Sequence, residues 1–124
     1  MSLSRLVNSI LEAGQGIVYV FRHEQNFRIQ VFISLVVLIF VWLFDLTKEE
    51  MIVIFLLILL VLILELLNSA VEKLSDVLKP RLSLQIGVVK DIMAGMVLLS
   101  SVGAVVIGII IFWPHLFEFV ERIW

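Results

Sequence analysis

The feature that most constrains this chain is a run of twenty-two residues without a charged side chain, Ile92 to Trp113. A helix of about 20 apolar residues spans the roughly 30 Å hydrocarbon core of a bilayer. Because lipid cannot hydrogen-bond to a peptide group, such a run crosses a membrane as a helix. Pro114 follows directly and is expected to end this helix, which we place at residues 88–114 as the third span.

Two further apolar runs predict two more spanning helices. Ile29 to Phe44 carries no charge and predicts a first span over residues 29–45. Met51 to Leu64 is also free of charge, and its helical pattern continues with inserted polar residues, which predicts a second span over 51–78. Charged residues are only 16% of the chain and apolar residues 62%, against about 25% charged in a soluble domain. Lipid is therefore the expected solvent.

The segments between these runs predict where the helices begin and end. Thr47 and Glu50 have the spacing of a capping box before the second span. Pro80 is expected to break the helix that follows, with a second loop up to about Gly87. Residues 1–28 place apolar side chains at helical spacing but are too polar to span, which predicts an amphipathic surface helix. The expectation is one all-α integral membrane domain, a surface helix plus three transmembrane helices.

Basic residues are distributed unevenly between the two ends of these helices. Seven belong to the N-terminal segment or the second loop, and only Lys48 and Arg122 belong to the opposite side. Since Lys and Arg near membrane ends mark the cytoplasmic side, the N-terminus and second loop are expected in the cytoplasm and the C-terminus outside. The net charge of −2 gives no indication of a nucleic-acid partner, and the lack of cysteine excludes thiolate chemistry.

Polar side chains on the second spanning helix point to chemistry. Glu65, Asn68, Glu72 and Asp76 are spaced by three, four and four residues, so they share one narrow stripe of the helix. An ionisable group near the bilayer centre costs roughly 2.5–3.5 kcal/mol on insertion scales, and such groups are functional candidates by default. Glu72 and Asp76 have the alternative of pairing with neighbouring lysines in the headgroup layer.

Two further polar pairs are expected at the same membrane level. Glu24 and Arg28 precede the first span, and Lys90 and Asp91 precede the third. Carboxylate oxygens are suitable ligands for a Mg²⁺ ion that also binds phosphates, and Lys and Arg side chains can bind the phosphates directly. This set indicates phosphoryl transfer. Two other classes stay open, a membrane assembly protein and a small transporter with Glu65 as a proton relay, but neither accounts for the Lys90-Asp91 pair.

The segment Glu65-Leu-Leu-Asn-Ser-Ala-Val-Glu72 resembles the signature E-x-(L/I/V)-N-(S/T)-A-(I/V)-E of the prokaryotic diacylglycerol kinase family. The resemblance covers nearly the whole chain and includes further residues at matching separations: Arg5, Gly16, Glu24, Arg28, Asp76, Lys90 and Asp91. It implies ATP- and Mg²⁺-dependent phosphorylation of a membrane lipid alcohol in the bacterial inner membrane. It also implies a homotrimer with active sites shared between subunits.

The resemblance further implies roles for individual residues. Glu65 matches the catalytic base, and Glu24 and Glu72 match the metal-binding carboxylates. The ATP-binding positions are matched by Arg5, Glu24, Asn68, Glu72, Lys90 and Asp91. The positions for the lipid substrate are matched by Arg5, Arg28 and Glu65.

The same family has two substrate groups, one acting on diacylglycerol and one on undecaprenol. The segment from Glu24 to Gln30 resembles the undecaprenol group's E-x-N-F/L-x-x-H, with Gln30 in place of the usual His. Segments 90–95 and 107–114 also favour that group, whereas residues 81–83 lack the Tyr or His often found in the second loop. Undecaprenol is therefore the favoured substrate and diacylglycerol the alternative.

Overall fold

A computed structural model of the chain describes residues 2–78 and 83–124, with only the backbone at Ser83. These residues form four helices and no strand: α1 (Leu3–His23), α2 (Gln25–Leu43), α3 (Lys48–Leu78) and α4 (Ser83–Ile123). Helices α2, α3 and α4 are long and apolar enough to cross a membrane. The predicted all-α fold with three spanning helices is confirmed, and the chain is a multi-pass membrane protein.

The surface of the molecule is largely apolar. Side chains such as Trp42, Leu56 and Leu98 on the three long helices are exposed. In the described chain, only a few apolar side chains are buried: Val20, Phe27, Val41, Ile54, Ile86 and Met93. A soluble monomer rarely exposes contiguous apolar patches of this extent. Lipid, or another protein within lipid, is the environment that such a surface requires.

Helix α1 ends in a sharp junction with α2 at Glu24, whose backbone is extended (φ −114°, ψ 111°). The Arg28 guanidinium reaches back and donates from Nη1 to the carbonyl oxygens of Phe21 (2.9 Å) and Arg22 (2.8 Å). These carbonyls belong to the last turn of α1, where no amide of the same helix can serve them. Helix α2, which contains most of the predicted first span over residues 29–45, therefore begins at Gln25, directly after this junction.

A contact between side chains holds α1 beside the C-terminal half of α3. Lys73 Nζ donates a hydrogen bond to the hydroxyl of Tyr19 and lies 4.8 Å from the centre of that ring. The His23 ring stacks on Tyr19 at a centroid distance of 4.1 Å. The surface helix is thus fixed next to the part of α3 that carries the polar stripe.

The predicted capping box at the start of α3 is confirmed. Glu50 N–H donates to Thr47 Oγ1 over 3.2 Å, and Thr47 N–H donates to Glu50 Oε1 over 2.9 Å. The same Glu50 oxygen lies 3.0 Å from His115 Nε2 on α4. The turn between α2 and α3 is therefore joined to the far end of the third spanning helix.

The expectation that Pro114 ends the third helix is wrong, since α4 continues through it to Ile123. A proline inside a helix removes one backbone hydrogen bond and costs about 3 kcal/mol or more. Contacts beyond the proline offset this cost: His115 meets Glu50, and the Phe119 ring lies 5.4 Å from that of Phe44. The segment after Pro114 packs on the α2–α3 turn and stays helical.

Helix α4 also begins earlier than expected. It starts at Ser83, so residues up to Gly87 are helical rather than part of the second loop. The break predicted at Lys79-Pro80-Arg81 lies outside the described residues. Helices α3 and α4 form the most extensive helix contact, and α2 packs on α3.

Candidate functional site

The polar stripe of α3 runs from a buried end to an exposed end. Glu65 is only 2% exposed, Asn68 and Glu72 are half-buried, and Asp76 is exposed. Glu65 lies thirteen residues, or about 20 Å, from the C-terminal end of α3 at the helical rise of 1.5 Å per residue. The predicted stripe therefore carries one carboxylate deep within a spanning helix and leads from it toward the α3 terminus.

The buried carboxylate has one hydrogen-bond partner within the described chain, Gln30 on α2. Gln30 Nε2 donates to Glu65 Oε2 over 3.5 Å, at the long limit of such a bond. Gln30 Oε1 is buried and has no partner in the described ranges, and an unpaired buried acceptor costs roughly 1–3 kcal/mol. Gln30 replaces the usual His of the Glu24–Gln30 segment and was not among the predicted site residues. The sequence feature that could have revealed it is an amide side chain within the uncharged run from Ile29 to Phe44.

Two serines accompany the stripe and were also missed. Ser69 and Ser75 on α3 are buried, at 8% and 5% exposure. The Ser69 hydroxyl makes no hydrogen bond to any residue that the structure describes. Their spacing from Glu65 and Glu72 places them on the same side of the helix, so the buried face of α3 is more polar than the four charged and amide residues alone indicated.

Glu24 lies at the junction between α1 and α2 and is half-buried. It is the N-cap residue of α2, but its side chain makes no capping hydrogen bond. Its carboxylate is therefore available to a ligand. Arg28 donates from Nη1 to two carbonyl oxygens of α1, so it helps to hold the junction that carries Glu24. Its contact with substrate stays a prediction.

The remaining predicted residues lie on other helices. Arg5 is exposed on α1, where its backbone N–H donates to Ser2 Oγ. Lys90 is half-buried and Asp91 exposed near the start of α4. Among residues 2–78 and 83–124, no ion pair or side-chain hydrogen bond joins these three to the α3 stripe. Their roles in the site remain predictions.

Glu24 and Glu72 are the predicted ligands of a Mg²⁺ ion. Within the described parts of the chain, no three His, Asp or Glu side chains gather closely enough to hold a metal ion. Mg²⁺ in phosphate-binding sites is commonly held by only one or two carboxylates, with phosphates and waters completing its shell. Glu24 and Glu72 are half-buried carboxylates, and neither is ion-paired with a described residue. Their chemistry fits such a site.

An apolar cavity of about 600 Å³ lies between α2, α3 and α4. Its only polar lining residues in the described chain are Gln30, Ser34 and Ser101. Along α2 the lining extends from Gln30 to Phe40, ten residues or about 15 Å of helix, and Phe44 just beyond the end of α2 also lines the cavity. The cavity therefore begins beside the partner of Glu65 and is suited in length and polarity to a hydrocarbon chain.

The chain is similar to proteins named undecaprenol kinase and diacylglycerol kinase. The sequence profile of the family described as prokaryotic diacylglycerol kinase matches residues 11–112. An undecaprenol kinase of Bacillus subtilis is 37% identical over 114 residues, which cover 92% of this chain and 93% of that protein. A diacylglycerol kinase of Synechocystis is 35% identical over 90% of this chain and 64% of its own length. A diacylglycerol kinase of Haemophilus influenzae is 38% identical over 60% of this chain and 63% of its own.

Proposed function

The chain belongs to the prokaryotic diacylglycerol kinase family, and from that premise we propose that it transfers the terminal phosphate of ATP to the hydroxyl of a membrane lipid alcohol. The observation that carries the proposal is Glu65, a carboxylate 2% exposed near the middle of a spanning helix. A group so costly to bury in a membrane is a functional candidate. The apolar cavity that begins at Gln30 supports a substrate that comes from the lipid phase.

The depth of the carboxylates supports different roles for them. Glu65 lies seven residues, about 10 Å along the helix, deeper than Glu72. A lipid hydroxyl reaches the site from the membrane and ATP reaches it from water. Glu65 is therefore the group placed to take the hydroxyl proton as general base. Glu72, half-buried and nearer the end of α3, is placed to meet the phosphates.

Binding of the nucleotide is assigned to residues around the end of the stripe. Glu24 and Glu72 would hold Mg²⁺, which when bound neutralises charge on the phosphates. Asn68 supplies an amide for polar contacts beside them, Lys90 a cation for phosphate, and Asp91 and Arg5 further polar contacts. The reaction forms a bond from the lipid oxygen to the γ-phosphorus and breaks the bond from that phosphorus to the oxygen that leaves with ADP.

Undecaprenol is the favoured substrate and diacylglycerol the alternative. The Bacillus subtilis relative named undecaprenol kinase aligns over nearly the full length of both chains, whereas the two relatives named diacylglycerol kinase are covered to about two thirds. The Glu24–Gln30 segment favours the same group. Both alcohols present one hydroxyl on a long apolar body, so the same catalytic residues serve either.

We also propose how the protein is oriented in the membrane and how many copies assemble. The bias of basic residues supports a cytoplasmic N-terminus and second loop, which puts the site on the side where ATP is available in a bacterial inner membrane. The extensive apolar surface on α2, α3 and α4 is compatible with contacts between copies of the chain. A homotrimer with shared sites is the assembly we propose.

The proposal is tested with the purified full-length chain in detergent, given radiolabelled ATP, Mg²⁺ and either undecaprenol or diacylglycerol. We expect labelled lipid phosphate, more from undecaprenol, and none when a chelator removes Mg²⁺. A membrane assembly protein or a transporter would form no lipid phosphate from either alcohol, and that result would refute the assignment. Faster turnover of diacylglycerol would replace the favoured substrate by the alternative.

A further inference from the structure

The contact between Gln30 and Glu65 joins α2 to α3 inside the membrane part of the molecule. Gln30 Nε2 lies 3.5 Å from Glu65 Oε2, and the two residues are 35 apart in sequence. At 3.5 Å this bond is at the long limit for a hydrogen bond. Hydrogen bonds of catalytic groups are often long without substrate and tighten when it binds.

The stability of the fold does not explain why an amide occupies position 30. Gln30 Oε1 is buried without a partner in the described chain, and an unsatisfied buried acceptor is unfavourable. A methionine has a similar length, would fit the apolar lining of the cavity and would leave no orphaned amide oxygen at position 30. The amide is therefore better explained by what its N–H does for Glu65.

The contact leaves the two carboxylate oxygens of Glu65 in different states. Oε2 accepts from Gln30, whereas Oε1 makes no hydrogen bond to a residue within 2–78 or 83–124. Because a carboxylate is planar, a donor on one oxygen restricts the direction of the other. Gln30 also lines the apolar cavity, so a hydroxyl that arrives along the cavity comes to Glu65 beside this amide.

We propose that Gln30 is a positioning residue, whose N–H holds Glu65 Oε2 so that Oε1 takes the proton from the lipid hydroxyl. The inference rests on the proposed function. In the step, the O–H bond of the lipid breaks and the proton passes to Oε1. The lipid oxygen bonds the γ-phosphorus of ATP, and ADP leaves with the electron pair of the broken P–O bond.

The test compares variants of the full-length chain in detergent with Mg²⁺-ATP and the alcohol that the wild type phosphorylates. Gln30→Met removes the donor and keeps the length, and we expect kcat to fall about ten- to a hundred-fold, as for a misplaced catalytic group. The KM for ATP should stay within about twofold because the nucleotide lies elsewhere. Gln30→His keeps an N–H donor on a ring nitrogen and should restore most of the lost kcat.

A thermal unfolding measurement separates positioning from support of the fold. Gln30→Met removes one unpaired buried acceptor, the amide oxygen, and leaves another, Glu65 Oε2, without its donor. Because these two effects oppose each other, the unfolding temperature should stay close to that of the wild type. Gln15→Met makes the same change at an exposed position of α1 and should leave kcat unchanged. A lower unfolding temperature together with low kcat, and no recovery in Gln30→His, would show a structural role and overturn the proposal.

The kinetic outcomes also distinguish this inference from the proposed function. If the wild type forms lipid phosphate and Gln30→Met keeps its kcat within twofold, only the positioning role is overturned. If Gln30→Met raises the KM for ATP at unchanged kcat, Gln30 acts on the nucleotide and the inference is again wrong. A wild type without lipid kinase activity would overturn the proposed function and the inference with it.

Discussion

Replacing Glu65 by Gln separates a base from a ligand at the centre of the proposed site. The substitution preserves the size of a side chain that is only 2% exposed. It also keeps an oxygen that can accept from Gln30 Nε2, now 3.5 Å from Glu65 Oε2. The helix contact therefore survives, and the capacity to take a proton is the main property lost.

The expected effect follows from that loss. A positioned general base contributes typically 10²- to 10⁴-fold to the rate, which corresponds to roughly 2.7–5.4 kcal/mol of transition-state stabilisation at 1.36 kcal/mol per factor of ten. We expect kcat of Glu65→Gln to fall by that factor. Glu65→Asp, one methylene shorter, should lose activity as well, because a contact already at 3.5 Å would lengthen beyond hydrogen-bond reach.

The assay measures nucleotide affinity and lipid phosphate formation on the same purified variant. Affinity for ATP should change less than about threefold, since Glu65 lies about 10 Å along the helix from Glu72, which is assigned to the metal and the phosphates. Glu12→Gln, the same change at an exposed position of α1, is the matched control and should behave as wild type. If Glu65→Gln lost ATP binding yet turned over the nucleotide it did bind at the normal rate, Glu65 would be a ligand and the reasoning would be refuted.

Three further predictions follow from the same arrangement. Glu72→Gln should weaken Mg²⁺-dependent ATP binding and abolish turnover at ordinary Mg²⁺, because the amide keeps the size of the side chain but loses the charge that binds the metal. Titrations with Mg²⁺ and with ATP measure this. Cysteines at Asn8 and Glu49, both exposed, should be labelled by an impermeant reagent from the cytoplasm and from outside respectively, in cells or inverted vesicles. Arg28→Met should reduce stability by about 1 kcal/mol through the loss of its carbonyl contacts, seen as a lower unfolding temperature at nearly unchanged kcat.

Each of these has a contrary outcome. Wild-type turnover in Glu72→Gln would remove this residue from the metal site. A reversed labelling pattern would place the site away from cellular ATP and contradict the topology. If Arg28→Met unfolded at the wild-type temperature but raised the KM for the lipid, Arg28 would contact substrate as the family resemblance implies, and its hydrogen bonds to α1 would be of minor importance.

Some of the proposed site residues can be identified from the sequence, and one can be identified only from the structure. Glu65, Asn68 and Glu72 are visible in the sequence because three- and four-residue spacing on a helix places them on one face, and the structure gives that face its graded burial. Gln30 is not visible in this way, since a single amide in an apolar run has no periodic pattern. Only its position opposite Glu65, 35 residues away, identifies it.

Local composition was enough to predict the four helices of the described chain. Three of them are long and apolar enough to span a membrane, and a capping box precedes α3. The preference of a segment for lipid or water and its helical periodicity both depend on residues that are close in sequence, so the sequence is sufficient to predict them. The contacts of the folded chain were needed to show that Arg28 donates to the carbonyls of α1 and that α4 continues through Pro114. The physical reason is that these outcomes depend on which groups the fold brings within contact distance, as with Glu50 and His115, 65 residues apart.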